Sequence, residues 1–193
     1  MAEQGGDNSH VTRRAFLGNL ARGALAVSVG GTALAAMSRS GSGKTVWQID
    51  PFKCIQCGRC RYNCVLDESA VKCVHDFKMC GYCDRCFAFF HPQANAFNAN
   101  AENQLCPAGA IVRRYIEEPY FEYTIDEGIC TGCGTCVKNC THDGNGSLYL
   151  QVRHDRCLNC NECSIAANCP SQAFMRLPAD RPYIVKHEGG RSK

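Results

Sequence analysis

Apolar positions along this chain come in short bursts, broken by polar, glycine-containing and cysteine-rich stretches. Val46-Trp47-Gln48-Ile49 and Tyr120 to Ile125 read as strands leading into cysteine-rich segments. Ala110-Ile111-Val112 and Ala173-Phe174-Met175 read as strands leading out of them. Leu148-Tyr149-Leu150-Gln151-Val152 is a further strand-like segment, bounded by the turn chemistry of Asp143-Gly144-Asn145-Gly146. Its counterpart in the first half is the connector from Val71 to Lys78. Short helices are expected at Arg61 to Val65 and Val137 to Cys140, and Arg113 to Pro119 reads as a linker. The pattern predicts an α+β protein with two small lobes in tandem, residues 45–118 and 119–180. A tail follows from Arg181 to Lys193, without core pattern, expected to be disordered or weakly docking.

Side chains alone give these lobes a thin core. Aromatic residues make up 9% of the 193 residues, and Trp47 is the single tryptophan. Domains this small ordinarily need staples or metal, and 17 residues are cysteine. Whatever binds the cysteines is therefore expected to form the core. The formal charge is +3, from 21 basic and 18 acidic residues scattered along the chain. There is no basic stripe, so nucleic acid is not an expected partner. No G-x-G-x-x-G, P-loop or G-x-S-x-G motif occurs, and no residue set here suits a small-molecule substrate.

The cysteines form a repeat. Cys54, Cys57, Cys60 and Cys64 read C-x2-C-x2-C-x3-C, and Cys130, Cys133, Cys136 and Cys140 repeat that pattern. Cys80, Cys83 and Cys86 form a triplet closed by Cys106-Pro107, and Cys157, Cys160 and Cys163 one closed by Cys169-Pro170. Three thiolates two residues apart can wrap one face of a cubane, and a fourth from a paired motif completes a [4Fe–4S] centre. Proline after the fourth cysteine turns the chain away; Val65 and Thr141 depart from that habit. Disulfides do not account for four copies of one spacing. Zinc sites built from C-x2-C pairs leave the third cysteine of each triplet idle. Haem attachment needs a histidine directly after C-x2-C, and a Rieske centre needs paired histidines; neither is present. The sixteen cysteines are thus candidate iron ligands of four [4Fe–4S] clusters.

On these motifs, residues 46–178 resemble the bacterial polyferredoxin family, whose tandem 2[4Fe–4S] dicluster domains include the periplasmic ferredoxin-type subunits of nitrate and nitrite reductase systems. They are also similar to the four-cluster electron-transfer subunits of molybdopterin oxidoreductases. The resemblance implies ferredoxin-like lobes with a small core built around the clusters. Two ligand schemes are open. In a tandem scheme Cys54, Cys57, Cys60 and Cys106 hold one cluster, and Cys80, Cys83, Cys86 and Cys64 the next. Cys130, Cys133, Cys136 and Cys169 hold the third, and Cys157, Cys160, Cys163 and Cys140 the fourth. In a nested scheme, like that of the molybdopterin-enzyme subunits, the first and fourth motifs exchange their last cysteines, as do the second and third. The tandem scheme is the expectation, because each half by itself reads as a whole dicluster ferredoxin. Cys73 is left over, as a spare buried thiol or a substitute for Cys64.

Thr12-Arg13-Arg14-Ala15-Phe16-Leu17 resembles a twin-arginine export signal. A weakly apolar stretch from Ala21 to Ala36 follows, and Ala33-Leu34-Ala35 fits small-x-small cleavage. Removal of residues 1–35 leaves 18 basic and 16 acidic residues, net +2. An oxidised cubane with four thiolates carries about −2, so four clusters bring the mature chain to roughly −6. Lys53, Arg59, Arg61, Lys138 and Arg156 beside the ligand loops would offset that charge and raise the reduction potentials. His142 is a candidate to tune a cluster by a hydrogen bond, or a solvated loop residue. Gln93 to Gln104 is a candidate cover or docking loop. The expectation is a periplasmic electron carrier without a substrate site of its own, exported folded, or held at the membrane by its partner or an uncleaved signal. It would relay single electrons between a membrane-bound quinol- or flavin-linked subunit and a redox enzyme. The other reading is a permanent iron–sulfur subunit of a molybdopterin-type oxidoreductase.

Overall fold

The computed structural model describes residues 44–76, 80, 83 and 85–186. The export signal expected over residues 1–35, the end of the connector at Lys78 and the last residues of the tail lie outside this range. Among the described residues no helix is long and apolar enough to cross a membrane.

The elements run β1 (Thr45–Ile49), α1 (Cys60–Asn63), β2 (Val71–His75), β3 (Ile111–Glu117), β4 (Tyr120–Ile125), α2 (Thr135–His142), β5 (Leu148–Val152), α3 (Ser164–Ala167) and β6 (Phe174–Pro178). This is a mixed set of short helices and antiparallel strands, as an α+β fold requires. The strands pair in three two-stranded ladders, β1 with β6, β2 with β5 and β3 with β4. Ile49 faces Phe174 in the first, Cys73 faces Leu150 in the second, and Ile111 faces Ile125 in the third. First pairs with last, and the pairing nests inward. Each ladder joins a strand of residues 45–118 to one of residues 119–180, so the halves interleave and do not stand as separate tandem lobes. The described residues all belong to one compact unit.

A duplicated turn explains how the exchange is possible. The residue after β1, β2, β4 and β5 is Asp50, Asp76, Asp126 or Arg153. Its carbonyl accepts the N–H of the first cysteine of a triplet: Cys54 at 3.1 Å, Cys80 at 2.9 Å, Cys130 at 3.0 Å and Cys157 at 2.9 Å. The same four residues donate their own N–H across a ladder, to the carbonyls of Ala173, Ser147, Ala110 and Ala70. So β1 corresponds to β4, β2 to β5 and β3 to β6. Equivalent strands present equivalent edges, and either could take the other's partner. The β2–β5 ladder lies on the resulting pseudo-two-fold, with the equivalent residues Cys73 and Leu150 facing each other at its centre.

Arg113 to Pro119 is not a linker but most of β3 and the turn of the β3–β4 hairpin, with Glu118–Pro119 cis. Only Ile111 of β3 is buried, so the ribbon carries the polar pattern of a solvated segment. Arg113 lies 3.6 Å from the ring centroid of Phe121 and Arg114 pairs with Glu122. The 93–104 loop holds a single 3-10 turn at Ala101–Asn103 and is tied down by a bridge between Phe90 and Gln104. The described part of the tail docks: Lys186 Nζ donates to the carbonyls of Gly146 and Leu148 at 2.7 and 2.9 Å, and Tyr183 stacks on His154. The core mixes Ile49, Val71, Val137, Leu150 and Val152 with the thiols of Cys60, Cys73, Cys130, Cys136 and Cys140.

Interleaving has a direct consequence for stability. Residues 45–118 and 119–186 made as separate chains are each expected to lack a stable fold, since β1, β2 and β3 all lose their partners. Circular dichroism and amide proton dispersion of the two pieces check this, and two independently dispersed spectra would contradict it.

Candidate metal centres

Each triplet hangs from the duplicated turn, so its three sulfurs come off one short loop. Backbone geometry keeps the loops tight. Gly58 and Gly132 have φ of +77° and +70°. A Cβ on Gly132 would lie 2.3 Å from the Val71 carbonyl oxygen, and one on Gly58 2.9 Å from that of Cys133. The first and third ligand loops therefore press backbone to backbone at Gly58, and the third loop presses on β2 at Gly132, where only glycine fits.

The ladders deliver the fourth sulfur, and their nesting decides which one. Cys54, Cys57 and Cys60 are met by Cys169, near enough that charge on it raises the Cys54 and Cys60 thiols. Cys157, Cys160 and Cys163 are met by Cys64, and the four line one cavity with Trp47, Val152 and Ile165. Cys80, Cys83 and Cys86 are met by Cys140, and these four line another with Ile111, Phe121 and Leu148. The tandem grouping is corrected accordingly. Cys106 does not complete the Cys54 set, Cys64 the Cys80 set, Cys169 the Cys130 set, or Cys140 the Cys157 set. The reason is the pairing of β1 with β6, which carries Cys169 to the first loop.

Cys130, Cys133 and Cys136 remain, with Cys106 and Cys73. Cys106 sits in the same frame as Cys169. After each cysteine comes proline, then a residue at φ +66° (Gly109) or +50° (Gln172). The next N–H, of Ala110 or Ala173, donates to the cysteine sulfur at 3.3 or 3.4 Å. Cys73 is buried and lies against Cys130 and Cys136. Its N–H donates to Cys130 Sγ at 3.3 Å and its sulfur lies 3.5 Å from Cys136 Sγ. Hydrogen bonding to Cys136 and burial hold the Cys73 thiol well above its usual range, while the same bond draws Cys136 below it. Cys73 keeps its proton and supports a ligand-type sulfur.

Burial pushes the Cys60 and Cys86 thiols up to about 12, and raises Cys54, Cys130 and Cys157 in the same sense. At Cys169 burial acts upward too, but N–H groups and the Ser171 hydroxyl outweigh it and the thiol lies below its ordinary value.

The donor sets fit iron–sulfur cubanes. The cavities lined by the Cys80 and Cys157 sets measure about 40 and 30 Å³, more than the ~10–15 Å³ one water needs, and their walls are mainly apolar. Thr131, between Cys130 and Cys133, has a buried hydroxyl oxygen without a hydrogen-bond partner. Among the described residues no three Cys, His, Asp or Glu side chains converge as they do on a single ion.

Several contributors were not visible in the sequence. Trp47 Nε1 donates to the Cys160 carbonyl at 2.7 Å, and Arg176 Nη2 to the same oxygen at 2.9 Å, pinning the fourth loop to the β1–β6 ladder. Asn145 Oδ1, 3.7 Å from Cys140 Sγ, holds the place given to His142, which is exposed. Lys72, 1% exposed, donates from Nζ to the Cys130 carbonyl at 2.5 Å. Lys53, Arg59, Arg61, Lys138 and Arg156 lie at or near the surface, and the nearest carboxylates to Lys53 and Arg156 are 3.9 and 3.8 Å away.

Comparison with family models, with curated proteins and with solved structures found no match to this chain.

Paired substitutions read out the grouping. Cys54→Ser with Cys169→Ser strikes one set and is expected to leave about twelve irons per chain, whereas Cys54→Ser with Cys106→Ser strikes two and leaves about eight. The tandem grouping would reverse those counts in anaerobic iron analysis. The raised thiols also set a direction with pH. Loading replaces thiol protons by iron, so the loaded state binds fewer protons and gains on the empty one as pH rises toward those thiol values. Visible absorbance is expected to bleach progressively faster as pH falls below 7 and to persist longest near pH 9. Retention independent of pH would contradict it.

Proposed function

We propose that this chain is an electron-transfer protein that relays single electrons through four [4Fe–4S] clusters. The observation that carries the proposal is the grouping of twelve cysteines into three sets of four, each completed by a cysteine from another motif. Cys106 is proposed as the fourth ligand of the Cys130, Cys133 and Cys136 set, from its shared frame with Cys169. A bound cluster takes up and gives up one electron with little change of shape.

The chain's own residues make the relay continuous. Cys136 and Cys140 are four residues apart in α2, about 6 Å along the axis, yet belong to different sets. α1 and the residue after it link Cys60 of one set to Cys64 of another in the same way. The loops of the first and third sets touch at Gly58 and Cys133. These contacts order the sets as Cys157, Cys54, Cys130, Cys80, each named by its first ligand. At the outer Cys157 set, Leu158, Val65 and Tyr62 are exposed, leaving apolar surface beside ligand loops where a redox partner could approach.

On this reading the protein works in the periplasm, exported folded on its twin-arginine signal, between a membrane quinol- or flavin-linked subunit and a redox enzyme. The nested pairing favours a second reading as well. It is the arrangement that the resemblance attaches to permanent iron–sulfur subunits of molybdopterin oxidoreductases. Neither reading gives the chain a substrate site of its own.

Iron and acid-labile sulfide, measured on protein purified without oxygen, are expected near sixteen of each per chain, about four per cluster. Iron near zero with all thiols oxidised would leave a disulfide scaffold and end the proposal. A large molybdopterin-containing chain retained through purification would favour the second reading.

A further inference from the structure

Resting on the relay just proposed, we infer that Lys72 makes the centre of Cys130, Cys133, Cys136 and Cys106 the highest-potential one of the four, where an arriving electron settles first. Lys72 is the largest fully buried side chain among the described residues. No carboxylate there pairs with it; the described ion pairs involve Lys53, Arg114, Arg153 and Arg156. Its Nζ donates to the backbone carbonyl of Cys130. A buried ammonium needs a nearby negative charge, and a thiolate-ligated cluster on that loop is the anion within reach.

The pseudo-two-fold supplies an internal control. The position equivalent to Lys72 in β5 is Tyr149, a neutral residue. The carbonyl equivalent to that of Cys130 is the one of Cys54, and it accepts a neutral amide N–H from Gln56. Gln56 in turn corresponds to Gly132, which has no side chain and lies against Val71. A carbonyl in this frame is therefore satisfied without a charge in one half, and by a buried cation in the other. Hydrogen-bond satisfaction alone does not call for lysine.

The sign follows from the charge change. Reduction takes a cluster from about −2 to about −3, so a fixed cation in a low-dielectric interior favours the reduced form. Two other cations lie near ligand loops, Arg176 on the Cys160 carbonyl and Lys186 near Cys54, but both are only part-buried where Lys72 is fully buried, so solvent screens them more. The backbone N–H of Cys73 adds a donor to the same set, at Cys130 Sγ.

The test is a potentiometric titration of the full, cluster-loaded chain followed by electron paramagnetic resonance, with iron counted in each sample. In Lys72→Met one centre is expected to lose at least tenfold in its reduction equilibrium, about 59 mV for one electron, with the other three moved less. Lys72→Arg is expected to restore it. Four clusters present and no centre singled out would overturn the inference. If Lys72→Met does not load, Cys133→Ser in the wild-type background decides: it should perturb the signal that appears first on reduction. Perturbation of a later signal would overturn the inference equally. An iron-free wild-type chain would instead refute the relay itself.

Discussion

A loop of three thiols cannot close a four-thiol set, and every larger feature of this fold answers that shortage. The fourth sulfur has to come from elsewhere in the chain, held as firmly as the first three. Cys54 and Cys169 are 115 residues apart, yet the β1–β6 ladder brings them together by pairing Ile49 with Phe174. Closing so long a loop costs little more than closing a short one, since each doubling of length adds only about 0.6 kcal/mol of chain entropy. What decides between partners is therefore not distance along the chain but which strand edges and loop backbones fit. The glycines at 58 and 132 record that fit, because loop meets loop at Gly58 and loop meets β2 at Gly132 more closely than any Cβ permits.

Duplication makes the halves equivalent in backbone, and the differences between them then carry the specialisation. The four turns at Asp50, Asp76, Asp126 and Arg153 share one hydrogen-bond pattern. At the centre of the β2–β5 ladder, Cys73 stands opposite Leu150, a thiol in the place of an aliphatic side chain. That substitution keeps the core apolar while adding a sulfur beside Cys136. One residue earlier, Lys72 stands where its equivalent is tyrosine. Two neighbouring positions of one short strand thus give the third set a setting that the first set lacks.

The parts of this fold written in local patterns were legible in the sequence. The strands before and after the triplets, the alternating segment at Leu148–Val152 and the short helix in the second half lie where apolar runs and turn residues place them. The pairing was not legible, because β1 and β4 lead into identical motifs and the sequence of one half is compatible with either partner. β3 escaped for a related reason: a ribbon with one buried residue reads as a solvated linker. Lys72 was invisible in principle, since a lysine in a strand ordinarily faces water. Only the ladder with β5 shows it sealed inside. Cys106 was placed in its motif by Pro107, but its set is fixed by the exchange and not by its neighbours in sequence.

Nesting also governs when the fold can form. The first triplet ends at Cys60, but its fourth sulfur, Cys169, lies close to the far end of the described chain. In a tandem arrangement the first two sets would be complete by Cys106, and half the protein could load and fold while the rest was still being made. Here the sets of Cys54 and Cys157 exchange their last members, so the first is not whole until Cys169 is present and the other not until Cys163. With five thiols already buried in the core and an aromatic content of 9%, the apolar side chains give the unloaded chain little to hold it together. Binding free energy at such sites is folding free energy. On the proposed reading, loading and folding are then a single late event involving nearly the whole chain.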